Sequence, residues 1–118
     1  MRVLVCGGRD FDDVAFVHEK LTELHNSHGH FQAVIHGDAK GVDSIAAEWA
    51  VLHGITELPN PANWDKYGAR AGPIRNTKML KMHRPDLVVV FPGGNGTKDM
   101  HRKATKAGYT VITVEYKQ

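Results

Sequence analysis

Apolar residues fall into short continuous blocks, separated by longer stretches in which they recur every three or four positions. The short blocks predict five β-strands, at 2–6, 31–37, 55–58, 86–91 and 110–116. Helical spacing predicts four helices, from Asp12 to the segment 27–30, from Val42 to His53, from Pro73 to about Met82 and from Thr97 to Ala107. Strands and helices that alternate with short connections are typical of a parallel sheet covered by helices on both faces.

The pattern therefore predicts one α/β domain over residues 1–118. We expect a Rossmann-like three-layer α/β/α sandwich with a mostly parallel sheet of about five strands. Asp12 or Asp13 is suited to cap the first helix, and Trp49 lies on the apolar stripe of the second helix, where we expect it in the core. Residues 59–73 form a long polar and aromatic connection without a predicted element.

Composition narrows the class of protein. The chain has 118 residues and 42% apolar residues, enough for a hydrophobic core. No apolar run is long enough for a membrane span, and the first block is too short for a signal peptide. The single cysteine, Cys6, excludes an internal disulfide and fits a cytoplasmic protein. A formal net charge of +2 argues against a nucleic-acid partner.

Three of the five predicted strands are followed by glycine-bearing loops that lead into helices. These loops are Gly7–Asp10, Gly37–Gly41 and Pro92–Thr97. In a parallel sheet all three open at the same edge, where ligands bind in such folds. Glycine allows a ligand to approach the backbone, and the N–H groups that begin a helix attract anions. We therefore predict a phosphate or diphosphate ligand, against the alternative that the glycines only make tight turns.

The predicted contacts to this ligand come mainly from the loops. Arg9 supplies a guanidinium and Thr97 a hydroxyl group, and the glycine contacts are Gly7, Gly8, Gly37, Gly41, Gly93, Gly94 and Gly96, with Pro92 beside them. Asp43 either binds a ribose hydroxyl or is an ordinary first-turn acid. Trp64 either stacks on a base or packs against a helix.

Metal binding is not expected. His25, His28 and His30 are close in sequence but match no zinc-binding pattern. His36, beside Gly37, either faces the ligand or is a buried histidine with satisfied hydrogen bonds. The two common phosphate-binding fingerprints are also missing, since the chain contains neither GxxxxGK[ST] nor GxGxxG.

Four segments resemble the SLOG superfamily, in particular its small stand-alone YspA-like branch. They are VCGGRDF at 5–11, HGDAKGVDSIAAEWA at 36–50, NWDKYGARAGPIRNTKML at 63–80 and FPGGNGTKDM at 91–100. The superfamily includes the Lonely Guy phosphoribohydrolases and the Rossmann-like domain of DNA-processing protein A. The resemblance implies a nucleotide-type or ADP-ribose-like ligand, no required cofactor, a homodimer, and ligand contacts from Arg75 and its neighbour Asn76.

The resemblance leaves enzymatic activity open. The phosphoribohydrolases have PGGxGTxxE, whose glutamate acts on the N-glycosidic bond, but Met100 occupies that position here. The candidates to replace the glutamate are Asp10, Asp38 and Asp99. We therefore expect a binding or sensing role, with a nucleoside-monophosphate N-glycosidase that uses one of these acids as the alternative.

Overall fold

The computed structural model describes residues 1–117, which fold into five strands and five α-helices. The strands are β1 Arg2–Cys6, β2 Ala33–His36, β3 Thr56–Pro59, β4 Leu87–Val90 and β5 Val111–Thr113. The helices are α1 Val14–Ser27, α2 Val42–Leu52, α3 Trp64–Tyr67, α4 Ala71–His83 and α5 Asn95–Lys106, with a 3-10 turn at Gly68–Arg70. No helix within these residues is long and apolar enough to cross a membrane.

All strand pairs are parallel, and the sheet has the order β3-β2-β1-β4-β5. The central strand β1 is paired in register with β2 through Val3 and Val34, and with β4 through Val3 and Leu87. The chain runs outward from β1 to β3 and then returns to the other side of β1. This reversal places a topological switch point between β1 and β4, where ligands bind in open α/β sheets. The predicted three-layer parallel fold is confirmed.

Alternate residues of the central strands enter two separate cores. Val3, Val5 and Val34 pack with helices α1 and α2, where Trp49 is completely buried as predicted. Leu4, Ile35 and Val88 point to the opposite face and pack with Met79 of α4 and Met100 of α5. Since successive side chains of a strand point to opposite faces, apolar blocks without alternation produce a sheet that is buried on both sides.

The helices differ from the predictions at several places. Helix α1 begins at Val14 rather than Asp12, because Asp13 is its N-cap. Residues 64–67 form the short helix α3, which is too short to show a periodic pattern. Helix α4 begins at Ala71, two residues before Pro73, because the 3-10 turn continues directly into it. Proline is tolerated there since first-turn N–H groups have no intrahelical partner. Helix α5 begins at Asn95 rather than Thr97, and Lys98 donates to the carbonyl oxygen of Gly94.

The last strand is shorter than the predicted 110–116. Thr113 is paired with Val90, the last residue of β4, and Val114 donates one more hydrogen bond to the Val90 carbonyl. Beyond that point the edge strand has no neighbour to pair with. Tyr116 instead donates its hydroxyl to Asp13 at 2.6 Å. Asp13 also caps α1, since its carboxylate accepts from the Phe16 amide.

Candidate functional site

A cleft of about 850 Å³ opens at the carboxyl edge of the sheet, above the switch point. One wall consists of the loops that follow β1, β2 and β4. The other wall consists of α3, the 3-10 turn and the first turns of α4. Its volume lies within the ~300–1,000 Å³ that is usual for small-molecule sites.

The cleft brings together most of the residues that the sequence predicted. Its lining includes Gly7, Gly8, Arg9, Asp10, Gly37, Asp43, Trp64, Arg75, Asn76, Pro92, Gly93, Gly94, Gly96 and Thr97. It does not include Asp38 and Gly41, which belong to the loop after β2, or Asp99, which lies on α5. Their predicted contacts with a ligand, like those of the lining residues, remain predictions.

Gly41 holds the first two loops together. Its backbone has φ 75°, and a Cβ at this position would overlap the carbonyl oxygen of Gly8. The same carbonyl oxygen accepts a hydrogen bond from the Val42 amide at 3.2 Å. Gly41 is therefore required by the contact between the loops.

The glycines of the three loops fall into two groups. Gly7, Gly8, Gly37 and Gly93, together with Gly41, have protein atoms where a Cβ would lie; we call these five the contact glycines. At Gly93, for example, a Cβ would lie 2.7 Å from the Gly8 nitrogen. At Gly94 and Gly96, no heavy atom of residues 1–117 lies within 4 Å of a Cβ position, and neither residue adopts a positive φ. We call these two the open glycines.

The open glycines begin helix α5. Gly94 is its N-cap residue and offers no side-chain hydrogen bond to the first turn. The first N–H groups of an α-helix have no intrahelical acceptor, and the helix dipole adds partial positive charge there. Gly96 in this first turn also forgoes the higher helix propensity of alanine. Backbone donors without Cβ atoms beside them thus face open space in the cleft.

A buried polar cluster forms the floor of the cleft at the end of β2. The carboxylate of Asp43, which is 5% exposed, accepts hydrogen bonds from the amides of Gly37 and Ala39 at 3.1 and 3.3 Å. Burial raises the pKa of Asp43, and these hydrogen bonds and the nearby Arg75 partly oppose the rise. Burial also raises the pKa of the Cys6 thiol, further helped by Asp43, so the thiol stays protonated and is a poor nucleophile.

Arg75 is fixed in place by backbone carbonyl groups. Its guanidinium donates to the carbonyl oxygens of Gly37 and Asn60 and to the side-chain oxygen of Asn76. Burial lowers the pKa of Arg75, although Asp43 opposes this, and an arginine remains charged at neutral pH. The cleft floor therefore holds a positioned positive charge.

Asn60 was missed by the sequence analysis. Its side-chain nitrogen donates to the carbonyl oxygens of His36 and Leu58, and its side-chain oxygen lies 2.9 Å from Nε2 of His83. It thereby fixes the carbonyl group that Arg75 contacts. Asn60 directly follows β3, so its position at the carboxyl edge is a signal in the sequence, but the segment between β3 and α3 has no glycine to mark it as a ligand loop.

Arg9 and Trp64 meet across the mouth of the cleft. The guanidinium carbon of Arg9 lies 4.9 Å from the centre of the Trp64 ring, within the range of a cation–π contact. Trp64 remains 46% exposed and does not enter the core, although its ring edge approaches Gly72. A charged group and a large aromatic surface are thus both accessible to a ligand.

The candidate acids have different surroundings. Asp10 is exposed at the cleft. Asp99 accepts from the Asn76 side chain at 3.1 Å and forms ion pairs with Arg102 and Lys103. Asp38 is exposed, with φ 55° and its amide bonded to the His36 ring. Met100, at the position of the hydrolase glutamate, is 1% exposed in the core.

Structural contacts explain the positions of His36 and His25. His36 is buried, with Nε2 2.6 Å from Glu57 and Nδ1 accepting from the Asp38 amide, and it does not line the cleft. His25 accepts from the Phe31 amide and stacks on His30. Among residues 1–117, no group of three or more His, Cys, Asp or Glu side chains is arranged to hold a metal ion.

Fold and cleft together define a Rossmann-like α/β protein with a site at its switch point. Comparison with solved structures agrees: an X-ray structure of TM1055, a Northeast Structural Genomics Consortium target, matches with a TM-score of 0.72 and 20% identity, covering 95% of this chain and 73% of that one. The model of the YspA, cpYpsA-related SLOG family matches residues 1–67. Gene 61 protein of Mycobacterium phage D29 is 38% identical over 119 residues, covering 94% of each chain. The chain belongs to the YspA, cpYpsA-related SLOG family, and the predicted resemblance is confirmed.

Proposed function

We propose that the protein binds a nucleotide or a nucleotide-derived ligand of the ADP-ribose type in this cleft, as a binding module or sensor. Membership of a SLOG family and the Rossmann-like fold fit a nucleotide-related function. The observation that carries the proposal is the pair of open glycines. Neither a positive φ nor a protein atom of residues 1–117 near the Cβ position requires glycine at Gly94 or Gly96. A ligand phosphate that contacts the backbone there accounts for both.

The remaining groups fit the rest of such a ligand. In the proposed arrangement the first-turn amides of α5, with the guanidinium of Arg9, bind phosphate oxygens. Asp43 and Arg75 supply polar contacts at the cleft floor for a ribose or a second phosphate. The exposed ring of Trp64 offers a stacking surface for a base.

The surroundings of Met100 and Asp99 favour binding over hydrolysis. Cleavage of an N-glycosidic bond requires a carboxylate near the anomeric carbon or an activated water. Met100 is buried among apolar residues. Asp99 accepts a hydrogen bond from Asn76 and forms ion pairs with two cationic side chains. The alternative function, a nucleoside-monophosphate N-glycosidase, is supported by one observation: Asp10 is an exposed carboxylate at the cleft.

Ligand-observed NMR with AMP, NAD, ADP-ribose and cyclic ADP-ribose, followed for several hours, tests the proposal. We expect line broadening with at least one of them and no new signals. Free base or ribose 5-phosphate that accumulates would instead establish the hydrolase, and Asp10→Asn should then abolish it. No broadening with any of the four would refute the nucleotide proposal.

Gly94→Asp is the matched variant for this experiment. The new side chain meets no protein atom near its Cβ, so we expect an unchanged melting temperature. Its carboxylate would occupy the space of the phosphate, so affinity should fall at least ~100-fold, or about 2.7 kcal/mol. Unchanged affinity in the folded variant would place the phosphate elsewhere.

A cytoplasmic location and a homodimer are further proposals. Sedimentation velocity at several concentrations tests the dimer.

A further inference from the structure

The two helical layers carry opposite charge. Helices α1 and α2, on one face of the sheet, contain one lysine and four acidic residues. Helices α4 and α5, on the other face, contain seven lysines and arginines and one acidic residue, Asp99. The net charge of +2 for the whole chain conceals this separation. Local charge, rather than net charge, decides which partners a surface attracts.

Most positive charges on α4 and α5 form no ion pair within residues 1–117. We define the basic face as Lys78, Lys81, Lys98, Arg102, Lys103 and Lys106. Asp99, the one carboxylate of these two helices, pairs with Arg102 and Lys103. Lys78, Lys81, Lys98 and Lys106 are exposed, and none forms an ion pair with any residue in 1–117. Like charges three or four residues apart, such as Lys78 and Lys81, repel each other along a helix.

We propose that the basic face binds the phosphate backbone of a nucleic acid strand. The face spans two helices that pack side by side, and along α5 its charges extend from Lys98 to Lys106, roughly 12 Å at 1.5 Å per residue. Such a distribution offers cations to several successive phosphates. Helices α4 and α5 contain no Phe, Tyr or Trp on which bases could stack, so binding is independent of base sequence and rests on charge.

Other partners fit the basic face less well. A second copy would have to offer its acidic α1–α2 layer, and contacts between two different faces form rings or open chains rather than a two-fold dimer. A lipid surface would require a broad apolar stripe, whereas Ile74 and Met82 are the exposed large apolar residues on these two helices. The expectation against nucleic acid was based on net charge alone.

Fluorescence anisotropy with a labelled 20-nucleotide single strand tests this proposal. We expect binding at 50 mM NaCl that weakens about 50-fold at 200 mM, the dependence for about four phosphate contacts. Lys78→Glu/Lys106→Glu, which changes one exposed residue on each helix, should weaken binding at 50 mM at least ~10-fold and reduce the salt effect to about 7-fold. Lys40→Glu/Lys117→Glu is the control, with the same charge change away from this face, and should retain affinity within about 3-fold.

Three results would overturn the proposal: no binding at 50 mM NaCl, an equal loss in both variants, or tighter binding to vesicles with 30% anionic lipid than to the oligonucleotide. If the unchanged protein sediments as a multimer and the Lys78→Glu/Lys106→Glu variant does not, the partner of the basic face is a second copy of the chain, and the proposal is also overturned. NMR with AMP separates this proposal from the proposal of a nucleotide site in the cleft. Neither lysine lines the cleft, so the variant should bind AMP as the unchanged protein does.

Discussion

The contact glycines and the open glycines belong to the same three loops, yet different physical requirements explain them. Gly93 and Gly94 are adjacent in sequence. A Cβ on Gly93 would lie 2.7 Å from the Gly8 nitrogen, whereas a Cβ on Gly94 would meet nothing within 4 Å. The contact glycines are explained by the fold, because they let three loops approach each other closely. No such contact requires glycine at the open positions, and we attribute these glycines to the binding of a ligand.

This difference separates stability from function within a single motif. A substitution at a contact glycine should damage the protein before any ligand is added. A substitution at an open glycine should be tolerated by the fold and detected only through binding. The following predictions test the distinction, from the largest expected effect to the smallest.

Gly41→Ala should have the largest effect. The new Cβ would overlap the Gly8 carbonyl oxygen, and the backbone has φ 75° and ψ −128°, which only glycine adopts readily. We expect the free energy of unfolding to fall by at least ~3 kcal/mol in urea titrations. Gly54→Ala is the control, since Gly54 has φ 67° but open space around it; it should cost about 1–2 kcal/mol. Equal losses would mean that the loop contact contributes nothing.

Arg9→Ala should weaken nucleotide binding without unfolding the protein. Arg9 is exposed at the cleft, and its removal should lower the affinity for AMP about 10-fold, or 1.4 kcal/mol, in calorimetric titrations. The affinity for adenosine, which has no phosphate, should be nearly unchanged. Arg70→Ala, an exposed arginine outside the cleft lining, controls for general charge. Comparable losses for AMP and adenosine would contradict the phosphate contact.

Gly96→Ala should change stability and binding in opposite directions. Alanine is the better helix former, and its Cβ meets no protein atom here, so we expect a gain of about 0.5 kcal/mol in unfolding free energy. The same methyl group should hinder a phosphate at the first turn of α5 and weaken binding. Thermal melts and calorimetry measure the two effects. A destabilised variant would place Gly96 with the contact glycines.

The smallest expected effect concerns His83, which supports Arg75 through Asn60. Burial, and then the charge of Arg2, lower the pKa of His83, so the folded protein favours the neutral ring. The contribution of neutral His83 to stability is fully present above about pH 6.5, the pKa of a histidine in the unfolded chain. It is lost as the pH falls below that value. We expect the melting temperature to fall between pH 7.5 and 5.5, and to fall less in His83→Gln, whose amide can still donate to Asn60.

His28→Gln, an exposed histidine at the end of α1, should leave that pH dependence intact. His25 retains its own lowered pKa in all three proteins, again mainly because of burial, so some loss at low pH should remain in His83→Gln. If the melting temperature of His83→Gln depends on pH as strongly as that of the unchanged protein, His83 does not contribute to this dependence.

Periodicity alone predicted the strands and the longer helices, because each fills a buried layer. It could not predict α3, whose four residues bury nothing, nor the start of α4, which depends on the preceding 3-10 turn. The end of β5 also could not be predicted from the sequence, because it depends on where the neighbouring strand ends. Local patterns predict an element, but its ends are set by neighbouring structure.

The carboxyl-edge rule predicted the location of the candidate site. The sequence could not distinguish Gly93 from Gly94, because that difference depends on a loop about 85 residues away in the chain. Asn60 escaped notice for the same reason, as its importance arises from contacts with His36, His83 and Arg75. Asp99 was chosen for its position next to Met100, and only the fold shows that it faces Asn76 and two cations.

The two walls of the cleft differ in how freely their sequences can change over evolutionary time. The loop wall is made largely of backbone segments in mutual contact, so a change at one of the contact glycines must be accommodated by the residues packed against it. The opposite wall contains α3 and the 3-10 turn, in which no residue is buried. Substitutions at 64–70 can therefore accumulate without cost to the core. Descendants of this protein can acquire a new ligand preference through that segment while they keep the loops and the fold intact.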